Sequence, residues 1–215
     1  MKIKLITGVS KSDNAGLAQL KRSCEVNGLD LTVLVNSEIQ WNWAGLPDIY
    51  NWCKTDEARE YTHILYSDGF DTFAQLGMQN IEVCYKETDK MLFSTEKHCF
   101  PRKDWEDKHP KPAPSEWQYL NHGQFIAPID VFLRLYEGVF TKDITCQEYA
   151  MELFLNGSQD IVLDYECRIF QTIAFESDED FKYGSFIQNL KTNSIPCFLH
   201  GNGKTDMSKV YKLFT

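Results

Sequence analysis

Two hydrophobic periodicities alternate along the first seventy residues of the chain. Lys2 to Thr7 alternates polar with apolar residues and runs into Gly8, which predicts a β-strand that ends in a tight turn. Asp13-Asn14 precedes apolar residues at helical spacing, so a helix is predicted from there to about Val26. The pattern continues with an apolar strand, a short helix with a proline near its start and another strand, at Leu31 to Val35, Leu46 to Lys54 and Tyr61 to Tyr66.

This order of elements predicts a parallel α/β sheet. Leu31 to Val35 is almost entirely apolar, and we therefore expect this strand to be buried on both faces. In open α/β sheets, ligands bind beyond the carboxyl ends of the strands. Two such ends, Gly8 to Ser10 and Ser67 to Asp71, are therefore expected at the mouth of a binding site.

The second half of the sequence is less regular. It predicts three strands, an extended segment and two helices, at Met91 to Ser94, Tyr119 to Ala127, Cys197 to Leu199, residues 168–174, Pro128 to about Phe140 and residues 146–155. A long loop is expected at residues 97–117, and long loops in compact proteins usually carry function. Because 215 residues suffice for one sizeable core, residues 1–215 are predicted to form a single domain.

Composition and charge narrow the class of protein. The chain is 43% hydrophobic and 13% aromatic, which is typical of a folded protein and not of a disordered one. Its formal net charge of −9 disfavours a broad surface for polyanions, although a local basic segment lies between Lys97 and Lys111. That segment is either a hydrated loop or a loop that binds an acceptor or closes over the site.

The sequence also bears on the compartment. Its apolar runs are far too short to cross a bilayer, and Met1-Lys2 leads directly into a strand pattern without the apolar core of a signal peptide. None of the seven cysteines forms a Cys-X-X-Cys pair, which favours reduced thiols. We therefore expect a cytoplasmic protein that does not contact membranes.

The first chemical signal is Asp68-Gly69-Phe70-Asp71 at the end of an apolar strand. Two carboxylates three residues apart on a turn are able to face one hard cation, and the glycine permits unusual backbone angles. Such a cation would bridge the phosphates of a nucleotide diphosphate. The alternative is a solvated turn rich in aspartate.

The second signal is His200-Gly201-Asn202-Gly203-Lys204-Thr205, which follows a short apolar strand. Imidazole binds metals of the Mn²⁺ type, the glycines allow backbone amides to approach phosphate oxygens, and Lys204 adds a positive charge. The segment lacks the first glycine of a Walker loop. A plain loop is the alternative, but the two signals together form a consistent metal–diphosphate site.

The third signal is Asn121-His122-Gly123-Gln124, which interrupts a predicted strand with polar side chains. Its amide and imidazole groups are suited to reading the hydroxyls of a sugar. The alternative is a β-bulge with Gly123 at the kink, and the residues alone favour the bulge.

Five motifs occur in an order and spacing typical of one family: "LYSDGFDTF", "MLFSTEKHCFP", "YLNHGQFIA", "LDYECRIFQTI" and "FLHGNGKT". In these motifs the chain resembles the glycosyltransferase domain of procollagen lysyl hydroxylases, and more distantly the procollagen galactosyltransferases. The resemblance implies a GT-A fold, which is a Rossmann-like α/β fold with a mixed, mostly parallel sheet flanked by helices. It also implies a UDP-sugar donor and Mn²⁺ or Mg²⁺ as cofactor.

The resemblance assigns roles position by position. Asp68, Asp71 and His200 match the metal ligands, Phe70 matches a tyrosine that stacks on uracil, and Ser10 matches a threonine near the nucleoside. Asn202, Gly203 and Lys204 match the diphosphate-binding loop, Asn121 lies near the donor sugar, Trp41 or Trp43 matches a tryptophan that contacts the nucleotide, and Phe100 replaces a tryptophan on the acceptor side. Asn121 and Lys204 are thereby candidate catalytic residues.

The chain departs from the family where an acceptor base is expected. The family has a run of aspartates before a glutamine, and this chain has "TKDITCQEYA", with Thr145 and Cys146 in place of two acids needed for transfer. Asp143 or Glu148 is a substitute, and Asp143 is the third candidate catalytic residue. A shift of two residues at a helix start moves the carboxylate to another face of the helix.

The sequence therefore predicts a metal-dependent hexosyltransferase, transferring glucose or galactose, with a macromolecular hydroxyl acceptor. The acceptor is either a hydroxylysine-like residue or a hydroxymethylated pyrimidine in DNA, as modified by stand-alone viral or phage enzymes. One alternative is a non-catalytic module that binds nucleotide sugars. Another is a sugar nucleotidyltransferase, although the glycine-rich run typical of that class is absent from "GVSKSDNAG".

Overall fold

The computed structural model describes residues 1–39, 41–86, 89–174 and 177–213, with Trp41, Asp178, Lys204 and Leu213 described in their backbone only. The strands are β1 (Ile3–Val9), β2 (Leu31–Val35), β3 (His63–Ser67), β4 (Thr72–Ala74), β5 (Met91–Glu96), β6 (Tyr119–Pro128), β7 (Ile161–Leu163), β8 (Phe170–Thr172), β9 (Phe181–Tyr183), β10 (Ile187–Asn189) and β11 (Phe198–His200). The α-helices are α1 (Ala15–Val26), α2 (Leu46–Trp52), α3 (Met78–Cys84), α4 (Ile129–Leu135), α5 (Cys146–Leu155) and α6 (Ser208–Leu213).

The central sheet is mixed and mostly parallel. Its six strands lie in the order β2-β1-β3-β6-β5-β7. β1 is parallel to β2 and β3, and β5 is parallel to β7, whereas β6 is antiparallel to both of its neighbours. The predicted fold class is confirmed, and β6 is the strand that makes the sheet mixed.

Each face of this sheet is covered by its own hydrophobic layer, because successive side chains of a strand point to opposite faces. One face presents Ile6, Ile64 and Phe93 to apolar residues of α2, α4 and α5. The other face presents Leu5 and Leu65 to α1, α3 and the strands β4, β8 and β11, which form a second sheet. The strand ends lie between these two layers, and the candidate functional site is located at these ends.

A second, three-stranded sheet has the order β4-β11-β8. β11 runs antiparallel to β4, with His200 opposite Thr72, and parallel to β8. β4 begins one residue after Asp71, so this small sheet connects the end of β3 to the end of β11. A hairpin of β9 and β10 is separate from both sheets.

Several local predictions differ from the structure. β2 is an edge strand with half-buried side chains, and Val35 is 53% exposed, so the prediction of burial on both faces is wrong. Composition cannot separate an edge strand from a central one when both are apolar. The helix predicted to reach Phe140 ends at Leu135, and the basic loop contains a short 3₁₀-helix at Lys103–Lys108.

Among the described residues, no helix combines the length and apolar character required for a membrane span. The cytoplasmic location and the single-domain organisation stay predictions.

Candidate metal and donor site

Three side chains from two distant segments converge at one end of the central sheet. The Nε2 atom of His200 lies 3.6 Å from Oδ2 of Asp68 and 3.6 Å from Oδ1 of Asp71. One ligand atom from each of these residues lies within 4.8 Å of the other two. The sequence predicts this meeting of two strand ends, and the structure brings all three predicted metal ligands together.

Backbone hydrogen bonds hold the two segments in place. The amide of Gly201 donates to the carbonyl of Asp71 over 2.7 Å, directly beside the pairing of β11 with β4. The amide of Asp68 donates to the carbonyl of Gly123 over 2.8 Å, which ties the aspartate turn to β6. His200 is the last residue of β11, and the two aspartates therefore lie on a turn between β3 and β4 that these hydrogen bonds hold to β6 and β11.

The turn is also packed closely against α1. A Cβ atom added to Gly16, in the first turn of α1, would lie 1.7 Å from the carbonyl oxygen of Phe70. Only glycine permits this approach, because the obstacle is backbone and cannot move aside cheaply. The start of α1, capped by the side chain of Asn14, therefore fixes the position of Phe70 and its neighbours.

Asn121 orients the imidazole of His200. Its Oδ1 atom accepts hydrogen bonds from the Gly123 amide, over 3.0 Å, and from Nδ1 of His200, over 3.1 Å. Since Nδ1 donates, Nε2 is the atom left to face the two carboxylates, as a metal-ligating histidine requires. The resemblance predicts that Asn121 lies near the donor sugar, and the structure places its amide behind the metal ligand.

A buried carboxylate that the sequence analysis missed stands behind Asn121. Oε1 of Glu96 accepts hydrogen bonds from the Asn121 side chain over 3.0 Å and from the Gln147 side chain over 2.8 Å. Its Oε2 accepts one from Asn202 over 3.0 Å. Burial raises the pKa of Glu96, against these three hydrogen bonds. The available signal was an acid at the end of the apolar strand "MLFSTE".

We expect Glu96→Gln to destabilise the protein by about 1–3 kcal/mol, since an amide nitrogen would face another donor in either orientation. Through Asn121 and His200, metal affinity should also fall about 10- to 100-fold. Urea unfolding and calorimetric titration with Mn²⁺ measure the two effects. Glu60→Gln, at an exposed ion pair with Lys2, is the matched control. Unchanged values in both assays would contradict the role of Glu96.

The electrostatics favour a cation between the carboxylates. Burial, followed by the charge of Asp71, raises the pKa of Asp68 to about 6. Burial lowers the pKa of His200, but the negative charges of Asp71 and Asp68 outweigh it and raise this pKa. The negative charges of Asp68 and Asp71 therefore lie close together in a partly buried place. A divalent cation between the two carboxylates would relieve their mutual repulsion.

The donor set fits Mn²⁺ or Mg²⁺. Two carboxylates and one imidazole are oxygen and nitrogen ligands suited to these cations. Gly123 keeps the space beside them clear, because a Cβ atom there would lie 2.1 Å from Cε1 of His200. The residues present are thus compatible with the metal that the resemblance implies.

The aspartate turn opens into a cleft of about 460 Å³, a size typical of small-molecule sites. Ser10 and Phe70, the residues predicted to contact the nucleoside, line it together with Asp68 and Asp71. The ends of β1 and β3 therefore share one cleft, as expected from the rule for open α/β sheets.

The three residues predicted to bind the diphosphate, Asn202, Gly203 and Lys204, differ in their surroundings. The side chain of Asn202 is buried, and its Oδ1 accepts from the amide of Ala174 over 3.0 Å while its nitrogen donates to Glu96. Gly203 is exposed with a φ of +64°. The side chain of Lys204 lies outside the described part of the structure, so its predicted role stays a prediction.

Asp143 is not brought to the site. It is exposed on the loop before α5, whereas Thr145, Cys146 and Gln147 line the cleft. Its catalytic role stays a prediction that no described contact with the metal ligands supports. Of the two tryptophans, Trp43 is fully buried against Phe140 and Tyr149, which corrects its assignment to the nucleotide. The side chain of Trp41 is not among those described.

His122 lines the cleft as a neutral imidazole. Burial lowers its pKa to about 3, and its Nε2 atom is 2.8 Å from the hydroxyl of Tyr136. The unfolded chain takes up a proton near the ordinary histidine pKa of 6.5 and the folded one near 3, so the fold loses stability as pH falls below about 6.5.

From pH 7 to pH 5, this single group should cost the wild-type protein about 2 kcal/mol of unfolding free energy. We expect His122→Phe to remove that part of the pH dependence while the titration of all other groups remains common to both proteins. Urea midpoints at the two pH values measure the difference. Equal pH dependence in both proteins would show that His122 titrates normally.

The family is decided by a match over nearly the whole chain. Residues 1–211 match the family described as the PLOD GT domain. This chain belongs to the PLOD GT domain family. The sequence-based resemblance is confirmed, and the chain is a glycosyltransferase domain.

Curated relatives agree with the PLOD GT assignment. An uncharacterised protein of Acanthamoeba polyphaga mimivirus is 26% identical over 208 residues, covering 91% of this chain and 45% of its own length. The procollagen-lysine,2-oxoglutarate 5-dioxygenase of Drosophila melanogaster is 27% identical over 229 residues, covering 97% of this chain and 31% of its own length. The PLOD GT chain thus spans less than half the length of these relatives.

Solved structures place the PLOD GT chain in the GT-A fold. A glycosyltransferase involved in glycosylation of the major capsid of PBCV-1 superposes with a TM-score of 0.56 at 12% identity, covering 99% of this chain and 98% of that one. An active-site mutant of LgtC gives a TM-score of 0.51 at 10% identity, with 93% and 87% covered. At these identities the likeness concerns the fold, and the predicted GT-A fold is confirmed.

Proposed function

We propose that this chain transfers a hexose, glucose or galactose, from a UDP-sugar to a hydroxyl group of a macromolecular acceptor, with Mn²⁺ or Mg²⁺ as cofactor. The observation that carries the proposal is the convergence of Asp68, Asp71 and His200, with both aspartates lining a cleft that Phe70 and Ser10 also line. Membership of a glycosyltransferase family favours this function over the nucleotidyltransferase alternative.

The residues divide into donor-binding and positioning roles. Phe70 supplies an aromatic face for the uracil ring, and Ser10 a hydroxyl at the nucleoside. Asp68, Asp71 and His200 would hold the cation, which when bound supplies positive charge to the diphosphate leaving group. Gly203 and Lys204 are proposed to contact the diphosphate. Asn121 acts through His200 as a positioning residue.

The reaction is a substitution at the anomeric carbon of the sugar. The acceptor oxygen forms a bond to that carbon, and the bond from the carbon to the diphosphate oxygen breaks with its electron pair going to the diphosphate. The hydroxyl proton leaves with the departing diphosphate, which balances the equation without an enzymatic carboxylate. Such an arrangement suits a cleft whose carboxylates, among the described lining residues, are the two metal-binding aspartates.

Donor hydrolysis tests this function without knowledge of the acceptor. The protein is incubated with UDP-glucose, UDP-galactose and UDP-N-acetylglucosamine, with Mn²⁺, Mg²⁺ or EDTA, and released UDP is measured. We expect hydrolysis of one hexose donor that EDTA abolishes. Transfer is then followed by mass spectrometry on hydroxylysine peptides and on DNA with hydroxymethylated pyrimidine. Failure to bind any UDP-sugar in the presence of Mn²⁺ would refute the proposal.

A second candidate function is a non-catalytic module that binds nucleotide sugars. The observation in its favour is that Thr145 and Cys146 line the cleft where relatives are expected to carry acids. This alternative predicts calorimetric binding of UDP-sugar and Mn²⁺ with no release of UDP. The hydrolysis assay separates the two functions directly.

A further inference from the structure

A buried tyrosine hydroxyl contacts one of the proposed metal ligands. Tyr66 lies in β3 with 1% of its surface exposed, and its hydroxyl donates a hydrogen bond to Oδ1 of Asp68. Side chains two residues apart on a strand point to the same face, and the hydrogen bond from the Asp68 amide to Gly123 continues the pairing of β3 with β6 beyond Ser67. Tyr66 therefore reaches the aspartate from the interior of the protein.

Packing fixes the position of the Tyr66 ring. Its centroid lies 5.1 Å from that of Phe125, which is its pairing partner on β6, and 6.3 Å from that of His122. On the other side, Tyr66 pairs with Ile6 of β1. Side chains buried in such a layer are closely packed in low-energy rotamers, so the hydroxyl is held in place before any ligand binds.

The two carboxylate oxygens of Asp68 have different neighbours. Oδ1 accepts from Tyr66, whereas Oδ2 lies 3.6 Å from Nε2 of His200. Oδ2 is also the oxygen that a Cβ atom on Gly123 would approach to 2.7 Å. A hydroxyl that donates to a carboxylate forms a short, strong hydrogen bond, and this bond limits rotation of the carboxylate. Asp68 is thus held with Oδ2 toward the other proposed ligands.

The backbone of Asp68 is held as well. The hydroxyl of Thr72 donates to the carbonyl of Asp68 and accepts from the hydroxyl of Ser67 over 3.0 Å. The hydroxyl of Ser67 in turn accepts from the side-chain amide of Gln124 on β6, also over 3.0 Å. Because its backbone and one carboxylate oxygen are both fixed, Asp68 does not turn freely to present two oxygens to the site.

Divalent cations differ in what they require of a carboxylate. Mg²⁺ binds about six ligands in near-ideal octahedral geometry, and Mn²⁺ shares this geometry. Ca²⁺ binds about six to eight oxygen atoms in flexible geometry and often takes both oxygens of a carboxylate. A carboxylate that presents a single oxygen therefore favours the octahedral cations.

We propose that Tyr66 is a positioning residue that makes Asp68 a one-oxygen ligand and thereby sets a preference of the site for Mn²⁺ and Mg²⁺ over Ca²⁺. This inference rests on the proposed function, because it requires a cation between Asp68, Asp71 and His200. The preference comes from the orientation of one carboxylate and not from the number of charged ligands, which Tyr66 does not change.

Binding of the metals alone tests the wild-type protein first. MnCl₂, MgCl₂ and CaCl₂ are titrated in separate calorimetric experiments, and the displacement of bound Mn²⁺ by Ca²⁺ is followed by the EPR signal of free Mn²⁺. We expect Mn²⁺ to bind at least about tenfold more tightly than Ca²⁺. Binding of Ca²⁺ as tight as that of Mn²⁺ overturns the inference.

Tyr66→Phe then removes the hydroxyl and keeps the ring. The affinity for Mn²⁺ should fall about tenfold, while the affinity for Ca²⁺ falls less than about twofold or rises, because Oδ1 becomes available to it. The ratio of the two affinities should therefore fall at least about fivefold. Tyr85→Phe, which loses another buried hydroxyl that donates to the carbonyl of Lys90, is the matched control and should leave this ratio unchanged.

Urea midpoints of both variants separate stability from metal preference, since each variant loses one buried hydrogen bond. An equal loss of affinity for Mn²⁺ and Ca²⁺ in Tyr66→Phe would show a structural role and overturns the inference, while Mn²⁺-dependent UDP release by the wild-type protein would still support the proposed function. A wild-type protein that binds none of the three cations contradicts both.

Discussion

Asp71→Ala is expected to lower donor hydrolysis and transfer by at least about 10³-fold, because it removes one of the three groups proposed to hold the cation. The fold should remain, since the Asp71 backbone carbonyl still accepts from Gly201. The charge of Asp71 is the second largest cause, after burial, of the raised pKa of Asp68. Its removal should therefore lower the pKa of Asp68. The free energy of unfolding should therefore be unchanged or higher.

Mn²⁺ titration calorimetry, UDP release and urea unfolding together test this expectation. Asp56→Ala removes an aspartate from an exposed ion pair with Arg59 and controls for the loss of surface charge. An Asp71→Ala protein that retains activity would remove the metal assignment. Lost activity with a large loss of stability would point to a structural role instead.

Gly123→Ala is expected to disable the same site by displacing two of the proposed metal ligands. The new methyl group would lie 2.1 Å from Cε1 of His200 and 2.7 Å from Oδ2 of Asp68, so both ligands must move. A displacement of about 1 Å at a reacting centre costs about 10²-fold in rate. We expect a loss of that size in UDP release, together with weaker Mn²⁺ binding.

The control for this substitution is Gly184→Ala, where the nearest heavy atom to a new Cβ is 3.9 Å away. Circular dichroism and urea midpoints verify that both variants fold. Full Mn²⁺ affinity in Gly123→Ala would mean that the space beside His200 is larger than the structure indicates.

The main features of the site are predictable from the sequence because strand ends are easy to recognise. Asp68 and Asp71 follow one apolar strand and His200 ends another, and the rule that ligands bind at strand ends predicts that both ends face one site. The meeting itself depends on β4, a three-residue strand with no pattern of its own in the sequence. The family resemblance supplies the pairing that local periodicity cannot.

β6 contains a bulge whose role could not be predicted from the sequence of this strand alone. Ser94 pairs with Asn121, but the preceding Phe93 pairs with Phe125, so residues 122–124 have no partner on β5. The interpretation of this segment as a bulge is therefore confirmed, and the bulge brings Asn121 behind His200, while its role in reading a sugar stays a prediction.

Glu96 and Gln147 escape sequence reasoning for a different reason. They lie 51 positions apart in the chain and meet only because α5 packs against β6, the neighbour of β5 in the sheet. No periodicity in either segment predicts such a contact. The prediction for Asp143, conversely, depends on its proximity in sequence to the expected acids, and Asp143 is exposed and is not among the residues that line the cleft.

The carboxylate of Glu96 has a consequence for how sequences of this kind diverge. One side chain accepts from three amides, each contributed by a different segment: Asn121, Gln147 and Asn202. A single replacement leaves the other partners with unmatched donors in a dry interior, which costs more than changing them as a set. Homologues that lose the acid are therefore expected to have replaced the amides in concert, and aligned sequences would show these four positions covarying.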